Sequence, residues 1–429
     1  MTFRGFDRTF GLLFTVMLAI AAGNTALQSV MPALGRSLKV PDSIVALIFS
    51  VSALLWVIAA PVWANRSDRK GRRAMVMLGV AGFALSQLLC GIVLALGINA
   101  WLAPTATFIA FIFGRMLYGA LGSAAPPAVQ AIVAGRTTRE QRTKALTLIA
   151  SAFGLGTILG PAIAPYLVVD RLWPGGPHIG LASPCFFAAA AGLALLAAVA
   201  RLLPHDEPDA HGAAASYPSI GGQGTGATVT AATADPGEKV RYFDSRIRPW
   251  IVAGLVIGHA QAMTGQAIGF LVIDRLHVTP VAAIQPTGLV LMMGAVSSLL
   301  AQWGLIPMLD LKPRVLVLAG VALGAVGCIA TGSATSLYGI ALGYALTSLG
   351  MGLARPGFTA GASLGVGPDA QGSVAGKVTS VNGAAFVLGP SIGVGLYELW
   401  RPLPYLTAAG WLACLLVYAS VATRGGQTE

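Results

Sequence analysis

Charge is scarce in this chain: 10% of its 429 residues are Asp, Glu, Lys or Arg, against about 25% in soluble domains. With 55% hydrophobic residues the chain cannot wrap one buried core in polar groups, which excludes a soluble protein and makes a bilayer its solvent. Acidic residues are fewest, 16 against 27 basic, for a net charge of +11. The basic excess is diluted through apolar sequence and gathers on no single face, so no nucleic-acid surface is expected. Cysteine is nearly absent too. Cys90, Cys185, Cys328 and Cys414 lie in apolar stretches without a His or second Cys at ligand spacing, so neither a disulfide framework nor a metal site is expected. No cofactor is expected. No nucleophile, metal cluster or carboxylate pair falls inside the apolar stretches, which argues against an enzyme. A nucleotide-binding phosphate loop is also missing: Gly372 to Val378 is one residue short and lacks the following Ser or Thr.

Apolar windows long enough to cross hydrocarbon, about 20 residues each, number twelve. They run at about 10–32, 43–64, 74–97, 105–133, 145–168, 181–203, 249–272, 284–308, 315–332, 335–361, 373–397 and 404–422. The first is too long for a signal-peptide core and is read as a retained span. With the N-terminus in the cytoplasm, Arg66, Arg69, Lys70, Arg72 and Arg73 follow span 2 on the cytoplasmic side, and Arg136, Arg139, Arg142 and Lys144 follow span 4. The opposite loops hold only Arg36, Lys39, Arg171, Arg275 and Arg401, so the positive-inside rule places both termini in the cytoplasm. The expectation is an all-α, multi-pass membrane protein.

Between 204 and 248 the sequence turns to Gly, Ala, Ser, Thr, Asp and Pro, a composition that cannot bury enough apolar surface to order itself. It is read as a flexible cytoplasmic linker between two six-helix bundles, 1–203 and 249–429. The bundles repeat each other at a constant offset. Pro127 matches Pro356, Ser151 matches Ser380, Gly154 matches Gly383, and Leu159-Gly160-Pro161 matches Leu388-Gly389-Pro390, all 229 residues apart. Parallel six-span halves are an arrangement of secondary transporters, with substrate held near the bilayer midplane and access alternating as the halves rock.

The loop after span 2, Ala64-Asn-Arg-Ser-Asp68-Arg69-Lys-Gly71-Arg72-Arg73, resembles the cytoplasmic motif of the major facilitator superfamily, G-x-x-x-D-R-x-G-R-R/K, with Ala64 for the leading Gly. Gly71 supplies a turn that a side chain would obstruct, and Asp68 suits a helix N-terminus and a basic neighbour. By resemblance that helix is span 11, starting near Gly372, with Arg136 or Arg142 as the cation. Arg115, Tyr118, Gly119, Gly122 and Pro126 share a face of span 4 and are similar to the family motif whose Arg is implicated in proton translocation in drug antiporters; Tyr118 stands where that motif often has Gln. Span 5 holds Gly154, Gly156, Gly160, Pro161 and Ala164, which resemble the antiporter motif G-x-x-x-G-P-x-x-G with Ala164 for the last Gly. Gly389, Pro390 and Gly393 in span 11 repeat it. Small residues four apart let helices approach closely, and Pro161 bends the segment.

The resemblance covers the whole layout and fits best the twelve-span drug:proton antiporters, tetracycline-efflux-like proteins among them. It implies the major facilitator fold, with two pseudo-symmetric six-helix halves, and a monomer in a bacterial inner membrane. The implied activity is export of a small organic molecule, drug or metabolite, driven by protons. The alternative is a facilitator or proton symporter that takes up a nutrient. Polar residues inside spans are the substrate-cavity candidates: Asn24 and Gln28 on one face of span 1, Tyr118 and Gln130 in span 4, Gln261 and Gln266 in span 7, Tyr344 in span 10 and Asn382 in span 11. With Met17, Met31, Met263, Met292 and Met293 among them, they suit an amphipathic organic compound. For proton coupling the candidates are His259, which can titrate near neutrality, and Arg115, which can tune a neighbour but not release a proton. Asp170, Asp274 and Glu398 lie at the outer ends of spans.

Overall fold

A computed structural model describes residues 8–137, 139–171, 173–204 and 239–422. Its long helices follow the apolar windows. They are α1 (Arg8–Ser37), α2 (Asp42–Lys70), α3 (Arg72–Ile98), α4 (Pro104–Gly135), α5 (Arg139–Ile163), α6 (Ser183–Leu202), α7 (Arg248–Leu276), α8 (Ile284–Leu309), α9 (Pro313–Ser333), α10 (Leu337–Leu364), α11 (Gln371–Leu399) and α12 (Leu403–Ala422). No strand occurs among the described residues. Eleven of these helices are long and apolar enough to cross a membrane. In α5 the apolar stretch counted over the described residues is Ser151–Leu167. The Pro204–Lys239 part of the expected linker lies almost wholly outside the described residues.

Two compact units emerge. The first holds the described residues up to Gln28 together with those from Val51 through α6; the second holds Ser29–Ser50 together with α7–α12. The tips of α1 and α2 around their shared turn therefore belong with the second unit, whereas a division at the linker alone assigns them to the first.

Inside each unit the packing follows one plan. In the first, α3 packs on α4 and α6; in the second, α9 packs on α10 and α12. The sequence repeat marks the tightest seams. A Cβ on Gly156 would lie 2.5 Å from the Leu18 carbonyl, and one on Gly160 would lie 2.5 Å from the Ala22 carbonyl and would strike the Thr25 hydroxyl, so α5 and α1 touch backbone to backbone. On the equivalent α11, a Cβ on Gly389 would lie 2.5 Å from Ala262 Cβ and one on Gly393 would lie 2.6 Å from Met263 Cα, both on α7. With no water to expel between spans, such close contact is what drives helix association in lipid.

Two helices depart from regular geometry. In α4 the residues Tyr118–Gly122 form a π-helical turn, as do Leu300–Leu305 in α8. The α4 turn stands where Gly119 lies against the Ser52 carbonyl of α2, with no room for a side chain. A widened turn takes carbonyls out of the regular ladder, and Trp63 Nε1 donates to one of them, Ala120 O, at 2.5 Å.

Candidate functional site

In the first unit the polar core is built around Arg115 of α4, 2% exposed. Its Nη2 donates to Asn24 Oδ1 of α1 at 2.6 Å, and its guanidinium carbon lies 4.5 Å from the centroid of the Tyr118 ring. An Arg in mid-helix costs about 3 kcal/mol in hydrocarbon, and a charge-assisted hydrogen bond together with a cation–π contact offsets part of that cost. The backbone beside it is pinned by hydroxyls. Ser52 Oγ donates to Arg115 O at 3.0 Å and Ser86 Oγ donates to Gly114 O at 2.8 Å. Gln87 Nε2 donates to Gly23 O at 3.0 Å, which fixes α3 against the turn of α1 that carries Asn24. The Trp56 and Phe83 rings lie 5.2 and 6.2 Å from that of Tyr118. Sequence reading singled out Arg115, Tyr118 and Asn24, which do meet. It missed Ser52, Ser86 and Gln87, although Gln87 is a polar side chain inside an apolar window and carried the same signal as Gln130. Gln28 is half-buried and Gln130 buried.

The second unit has its own buried guanidinium. Arg355 of α10 is 3% exposed and reaches amides on two helices, Gln261 Oε1 of α7 at 3.4 Å and Asn382 Oδ1 of α11 at 3.3 Å. Gln266 is buried, and Tyr344 packs its ring where a side chain on Gly294 of α8 would sit. His259 is half-buried rather than buried, with Nδ1 2.8 Å from the Leu255 carbonyl of its own helix. A carbonyl can only accept, so Nδ1 is the donor in that contact.

At the turns of α1–α2, α7–α8 and α11–α12 the second unit holds a charged network. Arg36 grips Asp42 through Nε at 2.7 Å and Nη2 at 2.5 Å, and reaches both Asp274 oxygens at 3.2 Å. Asp274 also accepts from the Tyr397 hydroxyl at 2.7 Å and lies 3.2 Å from Arg401 Nε. Glu398 Oε1 accepts from the Ser43 backbone N–H at 2.8 Å. These acids and bases sit at span ends in the sequence, and nothing in linear spacing brings them together.

The loop motif after α2 is partly visible. Gly71 has φ +88°, the backbone that the turn requires. Arg72 Nη1 donates to Ala131 O near the end of α4 at 3.1 Å, and Arg73 donates to Ala200 O near the end of α6. Arg73 thus satisfies a carbonyl left open at a helix C-terminus. The side chains of Asp68, Arg69 and Arg142 lie outside the described residues. Groups that could hold a metal ion are not found among the described residues.

Outside the spans, two carboxyl groups are held below their ordinary range. A side-chain hydrogen bond from Arg246 puts Asp244 at about 2, and the hydrogen bond from His178 lowers Asp170.

Eleven helices long and apolar enough to cross a membrane, with Arg115 and Arg355 buried against amides among the described residues, mark a multi-pass membrane protein. A family model described as Major Facilitator Superfamily matches residues 13–390, and the chain belongs to that family. Among curated relatives it is 30% identical over 190 residues to Multidrug resistance protein 2 of Bacillus subtilis (strain 168), a stretch covering 44% of this chain and 42% of the relative. It is 33% identical over 147 residues to Multidrug resistance protein MdtG of Salmonella arizonae, covering 34% of this chain and 31% of that one. The chain thus spans under half the length of the curated relatives it matches. Among solved structures, a bacterial homolog to the human lysosomal transporter Spinster, in an inward-facing and occupied conformation, aligns with TM-score 0.74 at 11% identity over 99% of this chain and 98% of that one. The Escherichia coli fucose:proton symporter aligns with TM-score 0.59 at 15% identity over 98% and 99%. These likenesses establish the fold, and the family excludes an enzyme.

Proposed function

We propose that the protein exports a small organic molecule, drug or metabolite, by proton antiport with alternating access. The observation that carries this reading is the α1–α5 seam. Gly156 and Gly160 press against the α1 backbone beside Pro161, in the pattern that resembles the family's antiporters, and Arg115 is tied to Asn24 on the same helix α1. Curated relatives named as multidrug resistance proteins support the same direction. In this reading Asn24, Gln28, Tyr118, Gln261, Gln266, Tyr344 and Asn382 offer substrate a few hydrogen bonds among apolar groups, which suits an amphipathic compound. Arg115 is a fixed positive charge, and the loop motif with Asp68 is a conformational switch at the cytoplasmic side. The protein works as a monomer in a bacterial inner membrane with both termini in the cytoplasm.

Uptake by a facilitator or proton symporter is the second reading. It is favoured by the scarcity of carboxylates in the middle of the spans. Everted membrane vesicles separate the two. Under antiport, the exported compound accumulates inside vesicles acidified within, and collapsing the proton gradient stops accumulation. Flux that ignores the gradient sinks antiport and leaves facilitated diffusion. A compound to follow comes from a resistance screen comparing a deletion strain with an overexpressing one.

A further inference from the structure

Resting on the reading of the protein as a carrier of a small organic molecule, we propose that Arg355, Asn382 and Thr359 form an anion cradle in the second unit. The substrate is then an organic anion, a carboxylate or sulfonate on an apolar body. The cradle is built from donors. Arg355 Nη2 donates to Asn382 Oδ1 at 3.3 Å, which orients that amide and leaves its Nδ2 as a donor beside the guanidinium. Asn382 is 1% exposed, and Nδ2 makes no hydrogen bond among the described residues. Thr359 stands one turn beyond Arg355 on the same face of α10. It is 7% exposed, and its hydroxyl is likewise without a hydrogen bond among the described residues. Other buried threonines of this unit give their hydroxyls to the carbonyl four residues back, as Thr264, Thr331, Thr347 and Thr379 do. Thr359 departs from that habit. A buried donor without an acceptor carries its full desolvation cost, so two such donors around one guanidinium point to a ligand that accepts.

The frame around these side chains is fixed. Within a turn of Arg355 on either side α10 is clamped to its neighbours: a Cβ on Gly352 would lie 2.9 Å from Ser298 O of α8, and one on Gly357 would lie 3.0 Å from Pro313 O at the start of α9. Helices α7 and α11 are held together where a Cβ on Gly258 would lie 2.8 Å from Ala385 Cβ and one on Gly389 would lie 2.5 Å from Ala262 Cβ. Gln261 and Asn382 sit less than a turn from those contacts, so both amides reach Arg355 from a rigid pair of helices. Donors already in place need little ordering when a ligand arrives.

Charge decides the class of ligand. The acidic residues of α7, α10 and α11 lie only near helix ends, Asp274 and Glu398, and Gln261 and Asn382 bring Arg355 neutral amides at 3.4 and 3.3 Å. An anionic oxygen gains the attraction of the guanidinium, which is stronger in an interior of low dielectric than in water. It also takes charge-assisted hydrogen bonds from Nδ2 and the hydroxyl, and the planar fork of an arginine suits a group with two equivalent oxygens. A cation meets repulsion from the same guanidinium. A neutral carbonyl accepts the hydrogen bonds but draws less from the charge. The spans around the cradle are apolar, so the rest of the ligand is apolar too.

Binding in detergent needs neither a gradient nor a direction of transport, so its outcome is separate from that of the vesicle experiment. The unfolding midpoint of the full-length protein is followed with naphthalenesulfonate and naphthoate, with the neutral naphthalenesulfonamide and naphthamide, with the naphthyltrimethylammonium ion, and with inorganic sulfate. A ligand that binds only the folded state raises the midpoint. Expected is a rise with both organic anions, a smaller rise with the amides, and none with the ammonium ion or sulfate. Thr359→Val, which keeps the shape and removes the hydroxyl, is expected to narrow the gap between anion and amide. Arg355→Gln is expected to close it, while Lys312→Gln, at an exposed position, leaves it intact. The Val variant keeps the test decisive if Arg355→Gln does not fold. A larger rise with the ammonium ion than with the anions, no rise with either anion, or a gap unchanged in Thr359→Val and Arg355→Gln overturns the proposal. Equal rises with sulfate and naphthalenesulfonate overturn it as well, since the cradle would then hold an inorganic anion rather than the substrate.

Discussion

Arg115 and Arg355 are the two arginines buried within spans among the described residues. Each sits on the fourth helix of its half and meets an amide on the first. Arg115 lies in the first half of α4 and makes a short bond, 2.6 Å to Asn24, with an aromatic ring beneath the charge. Arg355 lies past the middle of α10 and reaches two amides at longer range, 3.4 and 3.3 Å. The 229-residue offset aligns Arg115 with Tyr344 and Arg355 with Pro126, so neither arginine has an arginine as its repeat partner. The repeat has kept the seams and let the polar interior diverge. Each half buries one guanidinium against an amide of its first helix, but at a different place along its fourth helix.

Replacing the two arginines breaks or sharpens that contrast most directly. Loss of one hydrogen bond to a charged group costs about 1.5–3 kcal/mol, which corresponds to roughly 10- to 100-fold. Arg115→Ala is therefore expected to lower the initial rate of gradient-driven flux by about 10- to 100-fold, with Arg115→Lys recovering part of it. Arg355→Ala, which gives up weaker contacts, is expected to cost less than about tenfold. Initial rates in proteoliposomes with a fixed pH gradient measure both. Equal losses would mean that the halves contribute alike, and a larger loss at Arg355 would reverse the assignment.

The seams come next in size. At Gly160 an added methyl meets the Ala22 carbonyl at 2.5 Å, the Ala26 nitrogen at 2.8 Å and the Thr25 hydroxyl, whereas at Gly389 it meets mainly the Ala262 methyl at 2.5 Å, the next atoms being 3.5 Å away. Backbone atoms cannot swing aside, while a single Cβ contact is relieved by a small helix shift. Overpacking costs about 1–3 kcal/mol. Gly160→Ala is expected near the top of that range, about 3 kcal/mol, and Gly389→Ala near the bottom, about 1 kcal/mol, read as thermal unfolding midpoints in detergent. Equal midpoints would show that the two seams give equally.

Much of this architecture was legible before any coordinates. Length and hydropathy mark the helices, since each must cover the same hydrocarbon thickness, and the Gly160-Pro161 and Gly389-Pro390 pairs mark the seams, because only small residues allow that approach. Arg115 was legible through cost: a charge in an apolar window has to meet a partner, and Asn24 was one of the two amides singled out on span 1, with Gln28. The π turn at Tyr118–Gly122 was not legible, because a run of small residues fits a regular helix equally well. Nor was the network of Arg36, Asp42, Asp274 and Tyr397. Each member lies at a span end, where a charge in water costs little, so the sequence offers no signal that these four are drawn together. His259 misled for the opposite reason: a titratable residue inside a window looks buried, yet its ring is half-exposed and bonded to its own helix.

The smallest expected effect compares surface carboxylates of the two units. Asp244 is held by Arg246 through Nε at 3.0 Å, Nη2 at 2.9 Å and the backbone N–H at 3.0 Å, and Arg246 does not titrate in the working range. Asp170 is held by His178 Nδ1 at 2.8 Å, while Arg171 approaches His178 Nε2 at 2.6 Å. Both carboxyls are depressed in the folded state. Their contribution is therefore complete above the unfolded value of about 4 and is lost as pH falls through the folded value, about 2 for Asp244. Asp170 accepts one such hydrogen bond from a ring nitrogen where Asp244 accepts three from Arg246, so its contribution is lost at the higher pH. Backbone hydrogen exchange is expected to show the 168–180 loop losing protection on acidification at a higher pH than the 241–248 turn, with Asp244→Asn removing the acid response of the turn. The changes should be modest, as exposed ion pairs contribute little. Loss of protection at the same pH in both segments would mean that the two carboxylates are held equally well.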